Sequence, residues 1–165
     1  MTKRVPPISR KIAAKDFADF CAPLIGLRVN HIWRGYGSAI FLELGKLRPT
    51  MRLDGKNGNS CGEATLAIEW SWRIEGARSI LCGSWSDATL WPKTFAKLRG
   101  EKVVDVTLFG RLREIELILS SGVRVISFST IEGHPRWMLR SSDSWLTADR
   151  GSLHLEKQKA VRRKK

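Results

Sequence analysis

The sequence has few of the residues that build disulfide-stapled or metal-stabilised domains. Its cysteines are Cys21, Cys61 and Cys82, and its histidines are His31, His134 and His154. An odd number of widely spaced cysteines, without a C-x-x-C pair, predicts neither a disulfide framework nor a zinc site. The histidines lack the close partners that would place two metal ligands on one face of a helix or strand. We therefore expect no metal and no cofactor, and free thiols in the cytoplasm.

Long apolar runs are also missing. A membrane helix needs about 20 consecutive apolar residues, and the sequence contains no such stretch. The N-terminus is basic, but no apolar segment of the kind found in signal peptides follows it. We expect a cytoplasmic protein with no membrane partner.

Motifs for catalysis are scarce. The signatures G-x-S-x-G and H-E-x-x-H do not occur. The loop 54–62 is rich in Gly and Asn but lacks the order of a phosphate loop and the spacing of a calcium loop, which favours a plain hairpin connection. We predict that the protein is not an enzyme. The enzymatic alternative would use Glu69, Arg73 or His31, although a structural His31 on the same strand face as Val29 and Trp33 is favoured.

Positive charge is concentrated at the two ends of the chain. The formal net charge is +13 at pH 7. Residues 1–15 carry five basic side chains, residues 157–165 carry six, and neither segment has an acid. Residues 16–156 keep a net charge of only +2. We predict one globular domain over 16–156, a basic N-terminal tail over 1–15 that runs into the first helix, and a basic C-terminal tail over 157–165.

Two segments that lie 74 positions apart share a pattern of apolar residues and glycine. The segment 24–29 reads LIGLRV, and the segment 98–103 reads LRGEKV. Each follows a candidate helix and precedes alternating strands. This favours two similar helix-then-strands units, at about 16–88 and 89–156. The alternative is a chance match, because many chains leave a helix and enter a strand through such a pattern.

The apolar periodicity predicts short helices near residues 10–22 and 92–99. Alternation of apolar and polar residues predicts antiparallel strands for most of the remaining chain. The longest alternation, Leu66–Ile74, places Trp70 and Trp72 together on a core-facing side. No βαβ rhythm is present. The predicted fold class is therefore α+β and predominantly antiparallel β-sheet.

Trp85 differs from the other six tryptophans in its neighbours. It lies in Gly83–Asp87, among small and polar residues. A core tryptophan normally has apolar company along its strand or helix. We predict that Trp85 is an exposed anchor for a protein partner, with a core position as the alternative.

The order of these motifs resembles an uncharacterised family of small bacterial domains built from duplicated β units. The resemblance covers about residues 20–156 and rests on the L-x-G-x-x-V segments, the tryptophan strand, and a second copy that closes on Arg136–Arg140 and Gly151–Leu155. Some of these domains are similar to immunity proteins of polymorphic toxin systems. The resemblance implies a protein-binding function and supplies no catalytic residues. The basic ends depart from it.

The sequence therefore predicts a non-enzymatic binding module for a protein partner, immunity-like if the resemblance holds. The alternative is a nucleic-acid-associated protein whose basic ends contact phosphates. The candidate phosphate-binding residues are Arg10, Lys11, Lys157, Lys159, Arg162, Arg163, Lys164 and Lys165.

Overall fold

The computed structural model describes residues 8–157, which form two antiparallel sheets and short helices. The strands are β1 (Ile8–Ile12), β2 (Val29–Arg34), β3 (Ile40–Leu44), β4 (Ala64–Ile68), β5 (Trp72–Glu75), β6 (Ile80–Gly83), β7 (Val103–Phe109), β8 (Glu114–Leu119), β9 (Arg124–Ser127), β10 (Trp137–Ser141), β11 (Ser144–Asp149) and β12 (Ser152–Lys157). The helices are α1 (Ala14–Cys21), a 3-10 turn (Ala22–Leu24) and α2 (Leu90–Leu98). The prediction of mainly antiparallel sheet with short helices is confirmed.

The strand order in the larger sheet is β1-β12-β11-β10-β4-β3-β2, and in the smaller sheet it is β6-β5-β9-β8-β7. Each sheet thus contains strands from both halves of the chain. The chain crosses from the larger sheet to the smaller one between β4 and β5, and it returns between β9 and β10. One cluster of buried apolar side chains includes residues from both sheets and both helices.

The first helix is shorter than the sequence predicts. Ile8–Ile12, which belong to the predicted basic tail and overlap the predicted helix, pair with β12 as an edge strand. The helix begins at Ala14, and the carboxylate of Asp16 accepts a hydrogen bond from the Ala13 N–H at 3.0 Å. This acceptor satisfies one of the free N–H groups at the start of a helix. Phe17 and Cys21 form the buried face.

The segments after the two helices bind each other through their backbones. The Gly26 N–H donates to the Val103 carbonyl at 2.8 Å, and the Gly100 N–H donates to the Val29 carbonyl at 2.8 Å. The N–H groups of Val29 and Val103 also donate across this junction. These reciprocal bonds join the start of β2 to the start of β7 and so hold the two sheets together.

A β-bulge near the start of β2 changes the expected placement of His31. The register shifts between Val29 and His31, so that Val29 and Ile32 are both buried in the core. A bulge puts an extra residue into one strand and reverses the alternation beyond it. His31 therefore lies with Trp33 on the opposite face from Val29, and the expectation that all three share a face is wrong.

The predicted strand Leu66–Ile74 is in fact two strands in two sheets. β4 ends at Ile68 and β5 begins at Trp72, with a tight turn between them in which the Ser71 N–H donates to the Glu69 carbonyl. Trp70 lies in this turn with a φ of 63° and is 50% exposed, whereas Trp72 is fully buried. The prediction that the two indoles share a core face is wrong. The apolar alternation continues without a break through the segment in which the chain passes from the larger sheet to the smaller one.

Trp72 is a central residue of the core. Its Nε1 donates to the Ser38 carbonyl at 2.6 Å, and its ring packs edge-on against Trp91 of α2, with centroids 4.9 Å apart.

Within residues 8–157, the helices are too short and too polar for any of them to cross a bilayer.

We expect Trp72→Phe to lower the free energy of unfolding by about 2–3 kcal/mol, because it removes a buried hydrogen bond and leaves a void. Trp70→Phe, two residues away, should change it by less than about 0.5 kcal/mol because that ring is half exposed. Urea unfolding monitored by circular dichroism measures both. Equal losses for the two variants would contradict the assignment of these rings to the core and the surface.

Candidate functional site

The seven-stranded sheet has one face in the core and one that turns away from it. Leu42, Leu66, Leu139 and Leu146 belong to the core cluster. Residues that alternate with them point to the opposite side of the sheet. We call this second side the outer face.

Two rows of aligned side chains cross the outer face from one edge of the sheet to the other. The Phe41 row consists of Trp33, Phe41, Ala67, Met138, Thr147, His154 and Lys11. The Arg140 row consists of His31, Glu43, Thr65, Arg140, Trp145, Glu156 and Ser9. The two rows are neighbours, because their members are two residues apart along each strand.

The centre of the Arg140 row is buried although it lies outside the core. Glu43 is 3% exposed, Thr65 is 6% exposed and Arg140 is 7% exposed. The Glu43 carboxylate accepts three hydrogen bonds, from the Trp33 Nε1 at 3.1 Å, from the Gly62 N–H at 2.9 Å and from the Thr65 hydroxyl at 2.6 Å. The charge of Glu43 is therefore fully coordinated by neutral donors.

Arg140 completes this network from the neighbouring strand. Its Nη2 donates to the Thr65 hydroxyl oxygen at 2.8 Å, to the Gly62 carbonyl at 2.7 Å and to the Cys61 sulfur at 2.9 Å. The Thr65 hydroxyl thus lies between the guanidinium and the carboxylate of Glu43, accepting from one and donating to the other. Opposite charges connected in this way satisfy the requirement that buried charges be paired and hydrogen-bonded.

The network fixes the loop 45–63 to the outer face. Both the N–H and the carbonyl of Gly62 bind members of the network. A Cβ atom at this position would lie 2.4 Å from the Leu44 carbonyl oxygen, so only glycine allows the loop to approach the strand this closely. The loop is closed by hydrogen bonds between the backbones of Arg48 and Cys61 in both directions, which agrees with the interpretation of 54–62 as part of a hairpin connection.

The loop and the sheet enclose a cavity of about 640 Å³. Cys61, Arg140 and Trp145 line it together with residues of the loop and of β3. We call it the Cys61 cavity. The Arg140 guanidinium carbon lies 5.9 Å from the centre of the Trp145 ring, so the charged and aromatic walls of the cavity are in contact range.

Two further cavities adjoin the first. The His134 cavity, about 390 Å³, lies over the middle of the sheet and is lined by His134, Asp149 and His154 among others. The Tyr36 cavity, about 410 Å³, lies near the β2–β3 turn. Phe41 lines all three cavities, and its ring stacks on Trp33 with centroids 3.9 Å apart. The three cavities therefore form one groove with Phe41 at their junction and Ala67 in its floor.

The groove holds titratable groups, but their spacing is loose. The Nδ1 of His134 is 3.7 Å from the Asp149 carboxylate, and each side chain is 47% exposed. This distance is beyond a hydrogen bond. Within residues 8–157, no group of three or more His, Cys, Asp or Glu side chains has the arrangement of a metal site.

The structure separates the residues that the sequence singles out. Trp85 is 84% exposed and does not line the groove; its role as an anchor stays a prediction. Arg10 and Lys11 lie in β1, and Lys157 ends β12. The other predicted phosphate-binding residues lie outside the described residues: Lys159, Arg162, Arg163, Lys164 and Lys165. The sequence analysis did not identify Glu43, Thr65 or Arg140 as site residues. Each alternates with apolar residues along its strand, and this pattern is typical of side chains that face solvent.

Partial exposure distinguishes Cys61 from Cys21 and Cys82, which are buried. Burial raises the pKa of Cys21 to about 12, with the nearby charge of Asp105 adding to the effect, and burial also raises the pKa of Cys82. Thiols with raised pKa values hold little reactive thiolate near pH 8.

We expect iodoacetamide at that pH to modify the native protein once, at Cys61, and the denatured protein at all three cysteines. Peptide mass spectrometry identifies the sites; modification of native Cys21 or Cys82, or an inert Cys61, would contradict this.

Comparison with known proteins supplies no relative from which a role for these residues could be carried over. No family model, no curated protein and no solved structure matches the chain. The function is therefore argued from the geometry of the groove.

Proposed function

We propose that the protein is a non-enzymatic binding module that captures a protein partner in the groove on its outer face. The observation that carries this proposal is the junction at Phe41, which lines all three cavities, next to Ala67, which lines the Cys61 and His134 cavities. The outer face of an antiparallel sheet is commonly a solvated surface. A concave, mostly apolar surface with a few fixed polar groups is instead typical of a binding site.

Exposed aromatic side chains beside the groove favour a protein partner. Tyr36 is 95% exposed and Trp70 is 50% exposed, and both line the Tyr36 cavity. Tyrosine and tryptophan are enriched among the residues that dominate binding energy in protein interfaces. Trp85 is a further exposed ring and is proposed as an additional contact outside the groove.

The chemistry of the groove supports binding more than catalysis. A thiol nucleophile in group transfer commonly acts with a general base within hydrogen-bond distance. Among the described residues, the side chains hydrogen-bonded to the Cys61 thiol are those of Thr65 and Arg140, and neither is a general base at neutral pH. His134 and Asp149 are exposed and too far apart for the hydrogen bond that orients a catalytic histidine.

We also infer that the two halves of the chain, about 16–88 and 89–156, derive from one duplicated unit. Trp72 and Trp137 each begin a strand after a crossover, and each donates its Nε1 to a carbonyl in a β-hairpin turn, Ser38 at 2.6 Å and Arg113 at 2.8 Å. The bulge at the start of β2 has a counterpart at the start of β7. This inference supports the resemblance to bacterial domains of duplicated β units, some of which are similar to immunity proteins, and with it a protein-binding function.

Filling the floor of the groove tests the proposed function. We expect Ala67→Phe to reduce capture of the partner at least about tenfold, because the added ring occupies the space that the partner needs. The measurement is a quantitative pulldown from an extract of the source cells, followed by titration of the captured protein against each purified variant. Met138→Glu, which places a charge beside the same floor, should have the same effect.

The matched control is Thr107→Phe, which adds the same ring to the outward side of the smaller sheet, where Thr107 pairs with Glu116. It should bind the partner like the unmodified protein. Thermal melting of each variant separates lost binding from lost folding. Undiminished binding by folded Ala67→Phe and Met138→Glu proteins would refute the groove as the binding site.

A second candidate function, nucleic-acid binding, is favoured by the position of the chain ends. Ile8 of β1 is paired with Lys157 of β12, so that the segments before and after the described residues start at the same corner of the sheet. Residues 1–11 carry four basic side chains and residues 157–165 carry six. Charges that the sequence places at opposite ends are therefore attached to one corner, where they would act on one polyanion.

The salt dependence of DNA binding tests this candidate. If the six basic residues of 157–165 each contact one phosphate, the slope of log K against log salt concentration should be about −5. Deletion of residues 158–165 removes five of these six and should lower the magnitude of the slope by about 4. Fluorescence anisotropy of labelled duplex DNA measures the slope, and Lys93→Gln with Lys97→Gln on α2 serves as the control for lost charge. An unchanged slope after the deletion would exclude the corner as the site.

A further inference from the structure

The Tyr36 cavity has walls of an unusual composition. Its lining includes the aromatic residues Trp33, Tyr36, Phe41 and Trp70 and one charged residue, Glu69. The cavity, about 410 Å³, is large enough for an alkylammonium or guanidinium group. The faces of aromatic rings attract cations, and a carboxylate beside them adds to that attraction.

Ser38 links the two turns that form the cavity. The hydroxyl of Ser38, in the β2–β3 turn beside Tyr36, donates to the Trp70 carbonyl at 2.7 Å, and the Ser38 carbonyl accepts from Trp72 in the core. These bonds fix the backbones of both turns to the core, and the Tyr36 carbonyl also accepts a hydrogen bond from the Ala39 N–H at 3.1 Å. A site that is formed before the ligand arrives loses less entropy on binding.

Trp70 has a strained backbone conformation in the tight turn between β4 and β5. Its φ of 63° lies in the left-handed region, which tryptophan rarely adopts, and the residue is 50% exposed. Strained backbone at an exposed aromatic residue is typical of binding sites. The strained backbone therefore favours a functional role for the ring of Trp70.

The charges around the cavity favour a positive ligand. Arg34, on the adjoining strand, has its Nε bonded to the Gly37 carbonyl and its guanidinium 4.6 Å from the Trp91 ring of α2, so it is engaged elsewhere. Arg136 lies 4.0 Å from the Glu69 carboxylate, and both side chains are about half exposed. A pair at this distance in water is weak and leaves Glu69 able to bind another cation.

We propose that the Tyr36 cavity is a cation-binding subsite that holds a basic side chain of the protein partner. The proposal rests on the proposed function and specifies its chemistry: the partner presents a lysine or arginine to the rings of Tyr36 and Trp70 and to the carboxylate of Glu69. Arginine and lysine side chains commonly pack on aromatic rings in this way.

The net positive charge of the chain does not oppose this assignment. The basic corner is at the β1–β12 edge of the sheet, and the cavity is at the β2–β3 edge, six strand spacings away. At about 4.8 Å for each spacing the two are about 29 Å apart. This exceeds the screening length of about 8 Å at physiological salt, so Arg10, Lys11 and Lys157, the described basic residues at that corner, exert little repulsion at the cavity.

Titration with choline, observed through the indole N–H signals in NMR spectra, tests the subsite. Trp33→Phe and Trp70→Phe assign the two signals. We expect choline to shift them saturably, and the neutral isostere 3,3-dimethyl-1-butanol to bind at least about threefold more weakly, as a cation attracted by exposed aromatic rings would require. Glu69→Gln, Tyr36→Ala and Trp70→Ala should each weaken choline binding by a similar factor, and Phe109→Ala, an exposed ring on β7, should not.

Equal binding of choline and the neutral isostere would overturn the proposal, as would the absence of a saturable shift with either.

The Ala67→Phe variant separates this result from that of the groove itself. If choline fails while Ala67→Phe abolishes capture of the partner, the subsite is wrong and the groove stands. If choline binds while Ala67→Phe captures the partner normally, the cavity binds cations but is not part of a partner-binding groove, and the proposal made here is overturned.

Discussion

A carboxylate and a guanidinium lie buried on the side of a sheet that faces away from the core, and the candidate site depends on this arrangement. Glu43 and Arg140 are joined through the hydroxyl of Thr65, and each also binds the backbone of Gly62. Removing either charge would leave the other buried without a countercharge, which destabilises the folded protein. The network therefore requires the loop 45–63 to stay on the sheet, and that loop makes one wall of the groove. Replacing the network by apolar side chains would fill the same volume without defining where the loop lies.

The frame beneath the site is set by backbone bonds between the two halves of the chain. Gly26 and Gly100 each donate to the first residue of the strand in the other half. Each sheet then receives strands from the far half, through β5 in one direction and β10 in the other. The outer face owes its width to this exchange, because β10, β11 and β12 extend the β2–β3–β4 sheet on one side. Neither half alone would place Phe41 beside Met138 across Ala67.

Local signals in the sequence predict the strands and the second helix well, and they fail where a distant contact decides the outcome. The alternation through Leu66–Ile74 is regular, but the chain changes sheet at Trp70, and nothing in the pattern marks the turn. Glu43 lies between Leu42 and Leu44 as a solvated residue would, and its burial follows from a loop that closes over it. Trp85 is as exposed as its polar neighbours indicate, because there the local surroundings alone decide exposure.

The most direct test of the binding face uses Cys61 as a reporter in the complex with the captured partner. The rate of alkylation at Cys61 is measured by mass spectrometry of its peptide, in the free protein and in the isolated complex. If the partner occupies the groove, it covers the Cys61 cavity and the rate falls to a small fraction of its free value. An unchanged rate in an intact complex would show that the partner binds elsewhere and would contradict the assignment of the outer face as the binding surface.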